Sequence, residues 1–365
     1  MNSEKIIALL KAAKTTCKRT DMPDLENILI HANEGIAVCT ITDLEFTIQC
    51  EIPCMVKGVF VVNRALLLNY LLKTKAKEIS IRAIDDNSVL INGLRFENHS
   101  EYPNAPELVK PTKLSYSALL NYELKEAKEF VSDDYLRAAM TGILLSNKEK
   151  QHRIVATNTH ILYKAILGES DDKEYEVILS HPDKIVKTIE TFKAMNDNVE
   201  LSFDSENACL QYPEFRMYVR LIDGKYPNVD AVIPTENNKS LTFDKTEFLN
   251  KLEVVSVAAD KVTNQVVLEL SSEKISMVCF DIDSSLLLRS EFSGAYSGEE
   301  MEIHFNFNFI KKCFSPAIGS EITIEMSLPN KAAMIHSGHR LVLIMPVMNG
   351  SEDATKVDYR TLETA

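Results

Sequence analysis

Strict apolar and polar alternation marks three short segments that share one pattern: Glu78-Ile79-Ser80-Ile81, Glu200-Leu201-Ser202-Phe203 and Glu321-Ile322-Thr323-Ile324. Period-two alternation is the mark of a half-buried strand. The first residues, 78, 200 and 321, are evenly spaced at about a third of the 365-residue chain. The flanks repeat as well. Before each copy lies apolar spacing of helical period, in NRALLLNYLLKTKAK, HPDKIVKTIETFKAMND and FNFNFIKKCFSPAIG. After each comes a second alternating run: SVLINGLRFE, ACLQYPEFRMYVRLI and AAMIHSGHRLVLIMPV. A longer amphipathic stretch opens each unit, SEKIIALLKAAKTTCK, SYSALLNYELKEAKEFVS and DKTEFLNKLEVVSVAAD. The pattern predicts helix, strands, helix, strands, three times over.

Proline-containing segments interrupt the periodicity near Lys113 and Asn238, which sets expected domains at 1–113, 114–238 and 239–350. Residues 351–365 are polar and aperiodic and read as a mobile tail. Such a unit is an α+β, two-layer domain with its helices on one side of antiparallel sheets. Three of them side by side can join edge strands into a continuous curved sheet.

Composition narrows the chemistry. There are 53 acidic against 40 basic residues, a net charge of −13, so the surface as a whole repels nucleic acid and any such contact must be local. The helix candidates nonetheless carry lysines in all three units, among them Lys14, Lys18, Lys125, Lys184, Lys187, Lys251 and Lys311. One positive helical layer on an acidic protein is the expectation. Only 11 glycines are present, and neither G-x-G-x-x-G nor G-x-x-x-x-G-K-[ST] occurs. The seven cysteines are scattered without a C-x-x-C pair and read as reduced, core-filling thiols. The N-terminal apolar run is too short for a secretory signal, and no stretch suits a membrane span, so a cytoplasmic protein is expected.

Larger motifs then come into view. VSDDYLRAAMTGILLS (131–146), HRIVATNTHILYKA (152–165), LIDGKYPNVDAVIP (221–234), EEMEIHFNFNFI (299–310) and LVLIMPVM (341–348) stand in fixed order across the repeats. Together they resemble the bacterial β sliding clamp family, the processivity subunits of DNA polymerase III. The resemblance implies a head-to-tail homodimer of three-domain subunits, with helices lining a ring around duplex DNA and antiparallel sheets outside. Twelve helices at ~10 Å spacing give a ring roughly 38 Å across, wide enough for duplex DNA and intervening water. It implies no catalytic residue, no metal and no cofactor.

The same resemblance implies DNA contacts at Arg19 and Arg137 and a subunit interface at Phe96, Val257 and Ala258; the recurrent helix lysines add Lys14 and Lys18, and His181-Pro182, standing where the family has a basic pair, re-sites the second domain's contact onto Lys184 and Lys187. It implies a pocket for a short hydrophobic peptide motif, built from Met140, Thr157, His160, Ile161, Leu162, Pro227, Val232, Asn306, Phe309, Leu343, Met345, Pro346 and Val347. The partners implied are sequence-independent double-stranded DNA, the replicative DNA polymerase, the clamp loader, and translesion polymerases and mismatch-repair proteins. Where the family commonly has Gly-His-Arg, this chain has Thr159-His160-Ile161, which points to a shifted peptide preference.

Two other readings compete. A clamp-fold scaffold that binds proteins without loading onto DNA would share the pocket. A hydrolase would use carboxylates such as Asp281 and Asp283, Asp85 and Asp86, or Asp171 and Asp172, yet these sit in strand-face or turn contexts. His336 and His339 lack a third ligand, and lone His160 reads as a hydrogen-bonded structural residue.

Overall fold

A computed structural model describes residues 1–18, 21–33, 35–99, 101–171 and 173–347. The expected helices form: α1 (Ser3–Thr16), α2 (Arg64–Thr74), α3 (Leu119–Ala127), α4 (Pro182–Thr191), α5 (Lys245–Val255) and α6 (Phe307–Phe314). Side chains set their starts. Asn2, Asn63, Asp244 and Asn306 each stand in extended backbone and accept a hydrogen bond from an otherwise orphaned N–H of the first turn. α4 starts differently, with Pro182 pre-set for the first helical position after left-handed His181.

The chain packs into two units. The first comprises Met1–Lys125 and Val177–Gly224, the second Glu126–Glu176 and the chain from Lys225. In the first unit an eight-stranded antiparallel sheet runs, edge to edge, Gly58–Asn63, Asn27–Asn33, Gly35–Thr42, Phe46–Cys54, Arg216–Arg220, Asn207–Gln211, Val199–Phe203 and Thr112–Tyr116. Its central join pairs Phe46 with Val219 and Gln49 with Arg216, strands about 170 residues apart in sequence. Arg216 secures that register by donating from Nε to Gln49 (2.8 Å) and pairing with Glu51 (3.1 Å). A smaller sheet holds Ile81–Asp85, Ser88–Ile91 and Leu94–Glu97.

Of the three alternating segments, the last two lie in strands Val199–Phe203 and Glu321–Met326. The first becomes strand only from Ile81, because the Ser80 N–H and hydroxyl bond the Asn92 side chain instead of a neighbouring strand. Helix α1 packs on strands Gly35–Thr42 and Phe46–Cys54 and against α2 and α4. α3 is anchored by Asn121, which is fully buried. Its Nδ2 donates to the carbonyls of Ala194 (3.1 Å), Met195 (3.3 Å) and Asp197 (2.8 Å), and its Oδ1 accepts from the Tyr212 hydroxyl (2.7 Å).

The second unit repeats the plan. Consecutive strands of its large sheet are Ile143–Lys148, Gln151–Thr157, Ile161–Glu169, Arg340–Ile344, Ala333–Ser337, Glu321–Met326, Lys239–Asp244 and Gly294–Ser297. Here too a long-range pairing makes the join, Ile161 opposite Ile344 through Ala165 opposite Arg340. Strands Leu286–Glu291, Ile275–Asp281, Gln265–Leu270 and Met301–Asn306 form a second sheet. Phe243, Phe248, Phe292 and Phe314 meet at 4.5–5.9 Å between ring centroids and fill the layer under α5 and α6. All seven cysteines are buried free thiols, and burial pushes Cys17 and Cys279 up to about 12. Among the described residues no helix is long and apolar enough to cross a membrane, and no cluster of three or more His, Cys, Asp or Glu has metal-binding geometry.

Replacing Asn121 by Leu keeps the branched shape but removes the partner of the buried Tyr212 hydroxyl and one donor from three carbonyls, and a buried polar group left unpaired costs ~1–3 kcal/mol. Urea denaturation of Asn121→Leu should show a loss of about 2–4 kcal/mol with an unchanged slope. A loss below about 0.5 kcal/mol would mean that water replaces the amide there.

Candidate functional site

In the second unit the end of one long-range strand pair opens into a cavity of about 920 Å³. Cross-strand partners Leu162 and Leu343 form its floor with Ile161, all three nearly or fully buried. Met140 and Arg137 come from the 3-10 segment Tyr135–Thr141, and Met345 continues the last strand, its N–H donating to the His160 carbonyl (2.8 Å). Pro227 and the 3-10 turn Val229–Val232 build one wall; Leu328, Lys331 and Ala332 build another. Aliphatic side chains with an adaptable methionine suit an apolar ligand, and the few polar groups at the edge suit its orientation.

The turn between strands Gln151–Thr157 and Ile161–Glu169 is tightly specified. The Thr157 hydroxyl donates to the Ile161 carbonyl (2.8 Å) and accepts from the Thr159 N–H (3.1 Å). The Asn158 side chain accepts from the N–H groups of both His160 and Ile161 (3.0 Å each). These bonds force Thr159 to φ +79°, a left-handed conformation costly for a β-branched residue, with its side chain on the cavity wall.

The wall carrying Val232 is tied down at two points. The Thr157 N–H donates to the Tyr226 hydroxyl (3.2 Å), and burial raises that phenol well above its ordinary range. Asp230 meets Lys164 (2.6 Å), Lys148 (3.1 Å) and Arg153 (3.6 Å). The Lys164 hydrogen bond, foremost, holds the Asp230 carboxyl below the usual carboxylate range. A depressed acid stabilises the fold at neutral pH, and its contribution fades only as pH falls through that lowered value.

Of the residues expected to form a pocket, Met140, Thr157, Ile161, Leu162, Pro227, Val232, Leu343 and Met345 line this one cavity. His160, Asn306, Phe309, Pro346 and Val347 are not on its lining. His160 instead stacks on Phe309 (5.4 Å, 17° between planes), Asn306 caps α6, and the Val347 N–H donates to the His304 carbonyl (2.8 Å). Arg137, expected at DNA, lies on the cavity wall and pairs with Asp134 (3.6 Å). The wall residues Val229, Ile233, Leu328, Lys331 and Ala332 escaped sequence reasoning. Nearness of Val229 and Ile233 to the D-G-K-Y-P motif was a usable signal, whereas the turn 327–332 has no periodicity to give it away.

The remaining expected contacts fall in two groups. Lys14 and Lys18 are exposed at α1, and Lys187 is exposed on α4, which packs against α1. Lys184 is otherwise engaged: its Nζ lies 2.7 Å from Asp43, a carboxylate only 5% exposed. Arg19 lies outside the described residues, as do 351–365. Val257 is 78% exposed, while Ala258 is buried and Phe96, 2% exposed, packs edge-on against Tyr70 inside the first unit. Asp281 accepts from the Ser284 N–H in a turn, and His336 approaches Glu325 only to 3.9 Å.

Comparison with known proteins covers most of the molecule. Residues 122–228 match the family model for the DNA polymerase III beta subunit, central domain, and 230–345 that for its C-terminal domain. The beta sliding clamp of Staphylococcus aureus is 21% identical over 341 residues, spanning 88% of this chain and 90% of that one. That of Synechococcus elongatus is 22% identical over 342 residues with the same coverage. Among solved structures, the DNA polymerase III subunit beta of Pseudomonas aeruginosa superimposes with a TM-score of 0.88 at 18% identity, over 95% of this chain and 98% of that one. The beta subunit of Thermotoga maritima gives 0.85 at 17% over 96% and 99%. A Pseudomonas aeruginosa sliding clamp bound to griselimycin gives 0.87 at 18% over 95% and 98%.

Relieving the left-handed threonine should stabilise the protein. Thr159→Gly removes ~1–2 kcal/mol of backbone strain and adds back roughly 0.5–1 kcal/mol of glycine entropy. Denaturant titration should show a net gain of up to about 1 kcal/mol. A clear loss would mean that the threonine side chain holds the turn together.

Proposed function

The chain belongs to the DNA polymerase III beta subunit family, sliding clamps of DNA replication with no catalytic activity of their own, and from that premise we propose that two copies close head to tail into a ring around duplex DNA. The three sequence repeats, 1–113, 114–238 and 239–350, would supply six domains to that ring. Topological linkage then holds the replicative polymerase at its template, and weak phosphate contacts let the ring slide. Exposed Val257 is the subunit-interface residue best placed to meet a partner copy. The setting is the cytoplasm, where replication takes place.

The observation that carries this reading is the aliphatic cavity, where side chains from five separate stretches of sequence converge on a volume suited to a short peptide. We assign it to capture of the hydrophobic motif carried by polymerases, the clamp loader and repair proteins. Leucine and phenylalanine anchors that bury ~200 Å² of apolar surface gain roughly 5 kcal/mol gross, and ordering costs reduce this to micromolar affinity. Arg137 at the mouth would face the acidic or polar end of such a peptide. The structure of a relative with griselimycin bound supports a ligand site in clamps of this kind.

Two measurements test the reading. Loader-dependent retention on nicked circular DNA, lost on linearisation, is expected of the wild type; Lys14→Glu with Lys187→Glu should lose retention as salt rises while peptide affinity holds. Retention at wild-type levels in high salt would take the helical layer off the DNA. In the cavity, Met345→Ala should weaken a leucine–phenylalanine peptide by ~1–3 kcal/mol in calorimetry. An unchanged affinity would move the site elsewhere.

A further inference from the structure

The cavity wall formed by Val229–Val232 stands on an ionic footing that never touches the cavity. Val229, Ala231 and Val232 line the cavity, whereas Asp230 turns its carboxylate to three cations on three neighbouring strands. Register puts those cations on one sheet face: Arg153 is paired with Ser146, two residues before Lys148, and Val155, two residues after Arg153, is paired with Lys164. Three like charges on adjacent strands repel one another. Glu149 relieves Arg153 in part, accepting from its Nη2 at 2.7 Å. Asp230 is the group that all three share.

An exposed ion pair would contribute little. This cluster is mixed: the Arg153 side chain is 6% and the Lys164 side chain 17% exposed, whereas Asp230 at 37% and Lys148 at 43% stand open to salt. Removing the carboxylate leaves sheltered cations facing one another. The second tether of the same segment, Tyr226 on the Thr157 N–H, is four residues away and on the other side of Pro227. Tyr226 thus fixes where the segment begins, and Asp230 fixes how far the turn leans over the cavity.

We propose that Asp230 is a positioning residue for the peptide cavity: by gathering Lys148, Arg153 and Lys164 it sets the lean of the wall that carries Val229 and Val232, and so sets peptide affinity without contacting the peptide. The proposal rests on the peptide-capture reading above. It has a signature that direct apolar contact lacks. Affinity for an uncharged peptide should fall as salt rises, since salt screens the tether and not the anchors.

The test uses the full chain, a capped and uncharged leucine–phenylalanine peptide, and four proteins: wild type, Asp230→Asn, Asp230→Glu and Lys164→Met. Calorimetry from low to high salt should show the wild-type affinity falling with salt. Asp230→Asn should bind about five- to tenfold more weakly and lose that dependence, and Asp230→Glu should restore most of both. Amide hydrogen exchange without peptide should be faster at 229–233 in Asp230→Asn and in Lys164→Met, which reaches the tether from its other side. Wild-type affinity and exchange in Asp230→Asn would overturn the proposal. So would a weakened affinity that keeps its salt dependence and comes with a lower global melting temperature. If the wild type binds no such peptide, the peptide-capture reading fails, and the exchange arm alone upholds or overturns the tether.

Discussion

Everything at the cavity depends on one strand pairing, that of Ile161–Ala165 with Arg340–Ile344. It sets Leu162 against Leu343 and lets the Met345 N–H reach the His160 carbonyl, so that a floor is assembled from residues about 180 positions apart. Side chains alternate along a strand, and a slip of one residue would turn Leu343 away and bring Val342 and Ile344 to the cavity face. The register is therefore as much a part of the cavity as the side chains that line it. The first unit makes the corresponding join between Phe46–Gln49 and Arg216–Val219. There the polar bonds of Arg216 to Gln49 and Glu51 hold the register.

Much of this was legible from the chain. Alternation and helix spacing foretold six helices and the α+β layering, because each is a local property. The pocket was half legible. Residues on the V-A-T, D-G-K-Y-P and M-P segments converge as their motifs implied, whereas Leu328, Lys331 and Ala332 join from a turn whose composition carries no signal. Single long side chains are the least legible, because each has a choice of partner. Lys184 turns to buried Asp43, remote in sequence, whereas Arg137 pairs with nearby Asp134 at the cavity wall. The ring of Phe96 is buried against Tyr70 of α2, a contact between residues 26 positions apart.

Charge is distributed with the same economy. The protein is acidic by 13 charges, yet Lys14 and Lys187 stand exposed on packed helices, and Lys18 just beyond the end of α1. Elsewhere cations are drawn inward: Lys184 onto Asp43, and Lys164 and Arg153 onto Asp230. Basic residues thus divide between those left exposed to solvent and those that hold loops against sheets, a division that composition alone does not reveal.

The two packing units are interleaved along the chain, and that ordering reaches into synthesis. A ribosome delivers residues at ~5–20 per second. The first unit waits for 177–224 before its sheet can close, and by then strands 143–169, which belong to the other unit, are already out. Ile161–Ala165 then remains an open apolar edge until Arg340–Ile344 follows, a delay on the order of 10–35 s at those rates. A nascent chain with a strand edge exposed for that long is a template for mispairing with its neighbours on a polysome. The same join that builds the finished cavity therefore leaves the half-made protein open to mispairing until its last strand arrives.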